Sequence, residues 1–277
     1  MHKVDDPRGI GREAVQKSVP PEIWKQNLAF TQEMVEVALA HPLNNHPILA
    51  ELDKSTLNKD ITRTLHLEFS HAFAQIFTDS LIHAMATSAD LEQRLGPLGK
   101  VSARFLLQLN LLDELGYCAS EKGGDEYTGN PYLAHYMQFS ETLEQLGAKS
   151  RDILEYKPSA AAKAARRTFT DYFNDHVLLT GVLAVAETVF SKFAGPWAKS
   201  VGKSTDIDVS KGYHKIHVED EHGSFVDDDH AEDSWYIFRQ ALTPDKYDEV
   251  RELIPMWLDS WNDFCDNAVH LARTLKK

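Results

Sequence analysis

Over almost the whole chain, apolar residues recur at intervals of three and four, and no stretch combines apolar–polar alternation with β-branched enrichment. The first pattern lays an apolar stripe along a helix; a half-buried strand would need the second. At 277 residues the chain is long enough to bury a sizeable core. The expected architecture is all-α, a bundle of seven or more helices with no sheet. Neither a fixed-period repeat nor a low-complexity linker divides the chain. Residues 1–277 therefore read as one helical domain, with residues 1–20 as a flexible N-terminal arm.

Prolines and glycines punctuate the pattern. Pro20-Pro21-Glu22 opens a helix over residues 23–40, and the prolines of residues 41–47 break it. One long amphipathic helix is expected from Ser55 or Asn58 to about Ala86, carrying His66, Glu68, His71 and His83. Residues 90–115 form another, interrupted at Gly96-Pro97-Leu98-Gly99, and residues 116–130 read as a loop. Gly147 should stop a helix over residues 131–146. The longest helix should run from Ser159 to about Phe193, with Gly195-Pro196 ending or kinking it. Thr243-Pro244-Asp245 caps a last stretch, to about Leu275, that Pro255 should kink or split.

The net charge of −13, with only Lys163-Ala164-Ala165-Arg166-Arg167 and Lys276-Lys277 as basic clusters, argues against nucleic-acid or anionic-membrane partners. Cys118 and Cys265 stand far apart, as suits a reducing cytoplasm. The N-terminus lacks the apolar core of a signal peptide, and the longest apolar run, residues 177–189, is interrupted by Thr180, Gly181 and Glu187. A cytoplasmic protein is expected.

Chemistry concentrates in residues 213–230, where four of the 13 histidines and six acidic residues share eighteen positions. Imidazole and carboxylate are the ligand set of iron, manganese and zinc. On a helix His214, His217 and Glu221 share one face, Glu219 and His222 another, and Asp227 aligns with His230. Elsewhere, Glu187 sits in a segment apolar on nearly all sides, where a carboxylate must be paired, protonated or cation-bound, unless it rides a thin polar edge. Asp113-Glu114 ends an apolar helix against the macrodipole, which calls either for a partner or for a frayed, solvated end. His135 lies on an otherwise apolar helix, where a core role competes with a ligand role.

Asn110-Leu111-Leu112-Asp113-Glu114-Leu115-Gly116, then His135, then Leu143-Glu144-Gln145-Leu146-Gly147, resembles the haem-oxygenase-like diiron oxidases. The resemblance spans roughly residues 40–240 and implies a haem-oxygenase-like bundle. It further implies Glu114, His135 and Glu187 as ligands on one side and His222, Asp227 and His230 on the other, with His217 as a rival to these. The implied cofactors are two ferrous ions, with dioxygen as co-substrate. The implied activity is oxidation of a small organic substrate such as an amino acid, amine or fatty-acid-like molecule. Hydroxylation, N-oxygenation, desaturation and C–C cleavage all fit, with or without an external electron donor. The chain departs from the family pattern twice. The interval from Glu114 to His135 is lengthened by a glycine-rich insertion, and the last histidine–aspartate–histidine spacing is one residue too long.

Other readings compete. Glu68-x-x-His71 and Glu219-x-x-His222 are ferritin-like pairs. Haem degradation would need His41 or His46 as an axial ligand, and a metal-free enzyme or a helical scaffold would need no metal at all. Tyr213, Tyr136, Trp235 and Phe105 are candidates for the pocket wall or plain core. Trp257, Trp261 and Phe264 are either core or a homodimer interface.

Overall fold

The computed structural model describes residues 6–55, 57–119, 127–217 and 226–274, with backbone alone at 118, 119, 127 and 226–228. The chain folds as an all-α bundle. Helices α1 (Pro7–Ser18) and α2 (Pro21–Ala40) each begin with proline, whose missing N–H is harmless in a first turn. A 3-10 turn, Pro42–Asn45, leads to α3 (Pro47–Lys54), and α4 (Lys59–Phe69) passes through a π turn, Ser70–Ala74, before α5 (Phe77–Thr87). Next come α6 (Leu91–Glu114), the strands β1 (Tyr117–Ala119) and β2 (Tyr127–Gly129), then α7 (His135–Gln145) and α8 (Ser150–Glu155). Helices α9 (Ala160–Thr170), α10 (His176–Ser204), α11 (Gly212–Ile216), α12 (Val226–Ala241) and α13 (Tyr247–Thr274) complete the bundle.

Helix α10 is the axis. It is buried on nearly every side from Leu178 to Val189 and packs against α12, α3, α13 and α5. By length and composition it could also cross a membrane, but its apolar surface is mostly taken up inside the protein. Trp257, Trp261 and Phe264 of α13 are buried, which assigns them to the core.

The structure departs from the sequence expectations in local ways. The expected flexible arm is, from Pro7 on, a helix: Asp6 caps it by accepting from Gly9 N–H at 2.8 Å, and Val15 is fully buried. The single helix expected from residue 55 or 58 to 86 is divided by the π turn. The one expected from Ser159 breaks at residues 171–175, because the Asp175 carboxylate accepts from Leu178 N–H and starts a new helix. Conversely, α10 continues through Gly195-Pro196 to Ser204, and α13 runs through Pro255. Burial of Trp197, Ala198 and Val201 outweighs the backbone bond that Pro196 removes. The loop expected over residues 116–130 contains an antiparallel ribbon, so the expectation of no sheet fails there, on three paired positions.

Two core histidines make the fold sensitive to pH. His66 and His176 are pushed down to about 4 by burial, which outweighs the backbone carbonyls facing them. An unfolded histidine titrates near 6.5, so unfolding takes up protons between roughly pH 6.5 and 4. Stability from both is full above that window and lost as pH falls through it, by about 1.4 kcal/mol per pH unit for each histidine. Urea midpoints should therefore drop from pH 7 to pH 5, and less steeply in His176→Leu. Parallel pH profiles for the two proteins would refute the assignment.

Candidate metal centre

The bundle brings Glu114, His135, Glu187, His217 and His230 together. Glu114 closes α6, His135 opens α7, Glu187 lies midway along α10, His217 caps α11, and His230 is in the second turn of α12. All five are buried. His135 Nδ1 lies 3.1 Å from Glu114 Oε1, and His230 Nδ1 lies 3.9 Å from Glu187 Oε1. The rings of His135 and His217 meet edge to face, with centroids 5.2 Å apart. Burial alone would raise the Glu114 carboxyl; the imidazoles of His135, His230 and His217 outweigh it and hold the carboxyl below its ordinary value. Glu114 is thus kept ionised in the interior, which is the state a cation requires.

The insertion between Glu114 and His135 does not separate them. Strands β1 and β2 pair Tyr117 with Gly129 and Ala119 with Tyr127, so the extra residues leave and return at one place. Asn130 N–H donates to the Gly116 carbonyl at 3.1 Å, which closes the neck. Gly116 has φ +79°, and a Cβ there would stand 2.6 Å from the Ala134 nitrogen. Only glycine lets α6 turn back this closely onto the start of α7.

The Asp113-Glu114 pair at the end of α6 is not frayed: Glu114 is buried, Asp113 is partly so, and each acid has its own partner. Asp113 Oδ2 receives Arg8 Nη2 at 2.6 Å and His230 Nε2 at 3.1 Å. The bond from His230 Nε2–H to Asp113 fixes the ring so that Nδ1 faces Glu187. Arg8 also donates to Asn110 Oδ1 at 2.6 Å and to Asp233. Asp233 is fully buried and takes Arg12 Nε at 2.6 Å on its other oxygen. A set of α1 arginines therefore ties the Asn110-x-x-Asp113-Glu114 turn of α6 to the His230-x-x-Asp233 turn of α12. Sequence reasoning gave Arg8, Arg12 and Asp233 no role, and Asp113 only a place in the acidic pair. The available signals were Arg8 and Arg12 four apart, and His230 and Asp233 three apart, each pair on one helix face.

The other candidates fall elsewhere. His222 lies outside the described residues, as does the side chain of Asp227. His214 turns away from the site and meets His66, Nε2 to Nε2 at 3.3 Å, while His66 Nδ1 donates to the Thr62 carbonyl at 2.7 Å. Glu68, the candidate of the ferritin-like reading, is buried and committed to structure. It accepts from Ser159 N–H at 3.0 Å, from Tyr156 and Ser159 hydroxyls, and from Asn267 Nδ2 at 3.4 Å. That leaves the ferritin-like pair little to offer. His41 and His46 cap short helices: each Nδ1 accepts from a backbone N–H, of Leu43 or Ile48, and each Nε2 lies 3.2 Å from an aspartate, Asp259 or Asp266. With both nitrogens engaged, neither is placed as a haem ligand. Among the described residues, no three His, Cys, Asp or Glu side chains converge closely enough to hold a metal as they stand.

Glu114, His135, Glu187 and His217 form the polar end of an internal cavity whose other walls include Phe69, Phe73, Phe77, Phe169, Phe190 and Trp261. Tyr136 and Tyr213 line it too, as pocket candidates, whereas Trp235 packs away from it with Nε1 on Thr188, and Phe105 is largely exposed. Phe69, Phe73 and Ala74 reach the cavity from the π turn and the residue just before it, a local irregularity frequent at functional sites.

No family model matches the chain, and no curated protein matches it. Among solved structures, the chain is similar to the crystal structure of a CADD-like protein of unknown function from Nostoc punctiforme PCC 73102. The TM-score is 0.59 at 14% identity, covering 91% of this chain and 98% of the other. At that identity the likeness is one of fold.

The neck at Gly116 gives a direct test of how the site is assembled. Gly116→Ala forces a Cβ into the backbone of residues 133–134 and strains a left-handed residue, at a cost of about 2 kcal/mol or more. A fall in unfolding free energy of that size is expected from urea titration, whereas replacing residues 120–126 by Asn-Gly should leave it within about 0.5 kcal/mol. The reverse order of effects would mean that the insertion, and not the neck, sets the distance from Glu114 to His135.

Proposed function

We propose that this chain is a dioxygen-activating, non-haem diiron oxidase or oxygenase acting on a small organic substrate. The observation that carries the reading is that two glutamates and two histidines, each from a different helix or helix cap, are buried at one end of an aromatic cavity, with the buried His230 3.9 Å from one of the glutamates. Carboxylate oxygen and imidazole nitrogen suit ferrous iron, and helical bundles build such centres from inward-pointing side chains. The likeness of the Asn110-to-Gly116 motif to the diiron oxidases, and the shared fold with a CADD-like protein, lend support.

Glu114, His135, Glu187, His217 and His230 would hold the metal, with His222 and Asp227 as the remaining candidates. Bound ferrous iron would supply the electrons and open coordination positions through which dioxygen is reduced and the substrate oxidised. The chain's own residues prepare for this. The imidazoles hold the Glu114 carboxyl below its ordinary value, and Asp113 accepts a hydrogen bond from His230 Nε2–H, which turns Nδ1 toward Glu187. The phenylalanines exclude water from the substrate's side of the site. An external electron donor in a reducing cytoplasm would complete the cycle.

Anaerobic reconstitution with ferrous iron, followed by metal analysis and rapid mixing with oxygenated buffer, tests the reading. Two irons per chain are expected, consumed oxygen should follow, and Glu187→Ala should abolish tight uptake. Asp113→Asn should weaken iron binding about 10- to 100-fold by loosening His230. No specific uptake, or uptake indifferent to Glu187→Ala, would sink the proposal.

A further inference from the structure

A second chamber adjoins the donor-bearing cavity. Phe69, Phe190 and Trp261 wall both, and beyond them the second chamber is lined by Ile48, Leu52, Leu65, Phe264, Cys265 and Ala268, among others. The two chambers differ in kind. The first carries two carboxylates and two imidazoles, while among the described residues no acidic, basic or amide side chain lines the second. Cys265 brings a sulfur to it, and burial, with the Asp266 charge nearby, pushes that thiol well up, so it stays neutral.

We propose that the second chamber holds an unbranched apolar arm of the substrate while the substrate's reacting head lies among Glu114, His135, Glu187 and His217. The identification rests on the proposed function for the head; the chamber's own chemistry argues for the arm. A charged or amide-bearing arm would lose its hydration with nothing to replace it. An alkyl arm loses only contact with water, and each buried methylene then strengthens binding about fourfold. The rings of Phe69 and Phe190 stand with centroids 5.7 Å apart on the shared wall. The Phe190 ring also meets His217, with centroids 5.1 Å apart, so it stands between the donor groups of the first chamber and the apolar second one. Phe190 is thus the specificity-determining residue between head and arm.

Binding of straight-chain 1-alkanols, from butanol to dodecanol, to the metal-free protein separates this proposal from the diiron reading, since neither iron nor a reactive head is involved. Trp197 and Trp261 line the chamber, so tryptophan fluorescence reads its filling. Affinity should rise about fourfold per methylene and then level off at the length that fills the chamber. Ala268→Phe should move that levelling to shorter alcohols, and Phe190→Ala should move it to longer ones or remove it. Affinity independent of length, or the same levelling point in all three proteins, overturns the proposal. Failure of iron uptake would remove the diiron reading and leave this result standing.

Discussion

An ionised carboxylate can be buried only with partners, and in this bundle that constraint decides which helices meet. Glu68, Glu114, Glu187 and Asp233 all lie inside. Asp233 draws α1 onto α12 through Arg8 and Arg12, Glu68 pins the start of α9 and the end of α13 to α4, and Glu114 joins the end of α6 to the start of α7. Removing one partner from such a pair leaves a bare charge, a loss on the order of 3–5 kcal/mol. Apolar burial supplies the bulk of the stability but would tolerate small rotations of one helix against another. The acids do not, since hydrogen bonds to them need specific distances and angles. They give the bundle its register.

The same constraint separates structural acids from those with chemistry to offer. Glu68 and Asp233 are surrounded by hydroxyl, amide or guanidinium donors that satisfy their oxygens. Glu114 and Glu187 face imidazoles instead, and they border a cavity. Arginine is a permanent cation and closes a carboxylate off. Imidazole is a cation only when protonated, and otherwise a ligand. Sorting the buried acids by partner therefore singles out Glu114 and Glu187, the pair on which the proposed metal centre rests, with aromatic walls beside them.

Much of the architecture was legible because a 3.6-residue period is a local property: the bundle and most helix starts follow from it. Breaks were harder. Asp175 caps a new helix by a side-chain contact two turns of reasoning too fine for periodicity, and Pro196 fails to stop α10 because buried neighbours compensate its lost bond. At the site, Glu187 stood out because a carboxylate in an apolar run is anomalous in any fold, and Glu114 and His135 were found through a short motif. Arg8 and Arg12 went unnoticed. Nothing within residues 1–20 indicates that two arginines meet an aspartate more than 200 positions away.

By itself, then, the sequence determined the helical content, the anomaly of a carboxylate at Glu187 in an apolar run and the residue types available for ligation, because each depends on spacing along one chain segment. Only the tertiary structure decided that the insertion after Gly116 is pinched off by a two-stranded ribbon, that His214 pairs with His66 while His217 faces the cavity, and that Asp113 orients His230. Those outcomes turn on which helix faces are brought within about 3 Å of each other, the reach of a hydrogen bond. That proximity is set by packing over the whole bundle, and no local window of residues contains it.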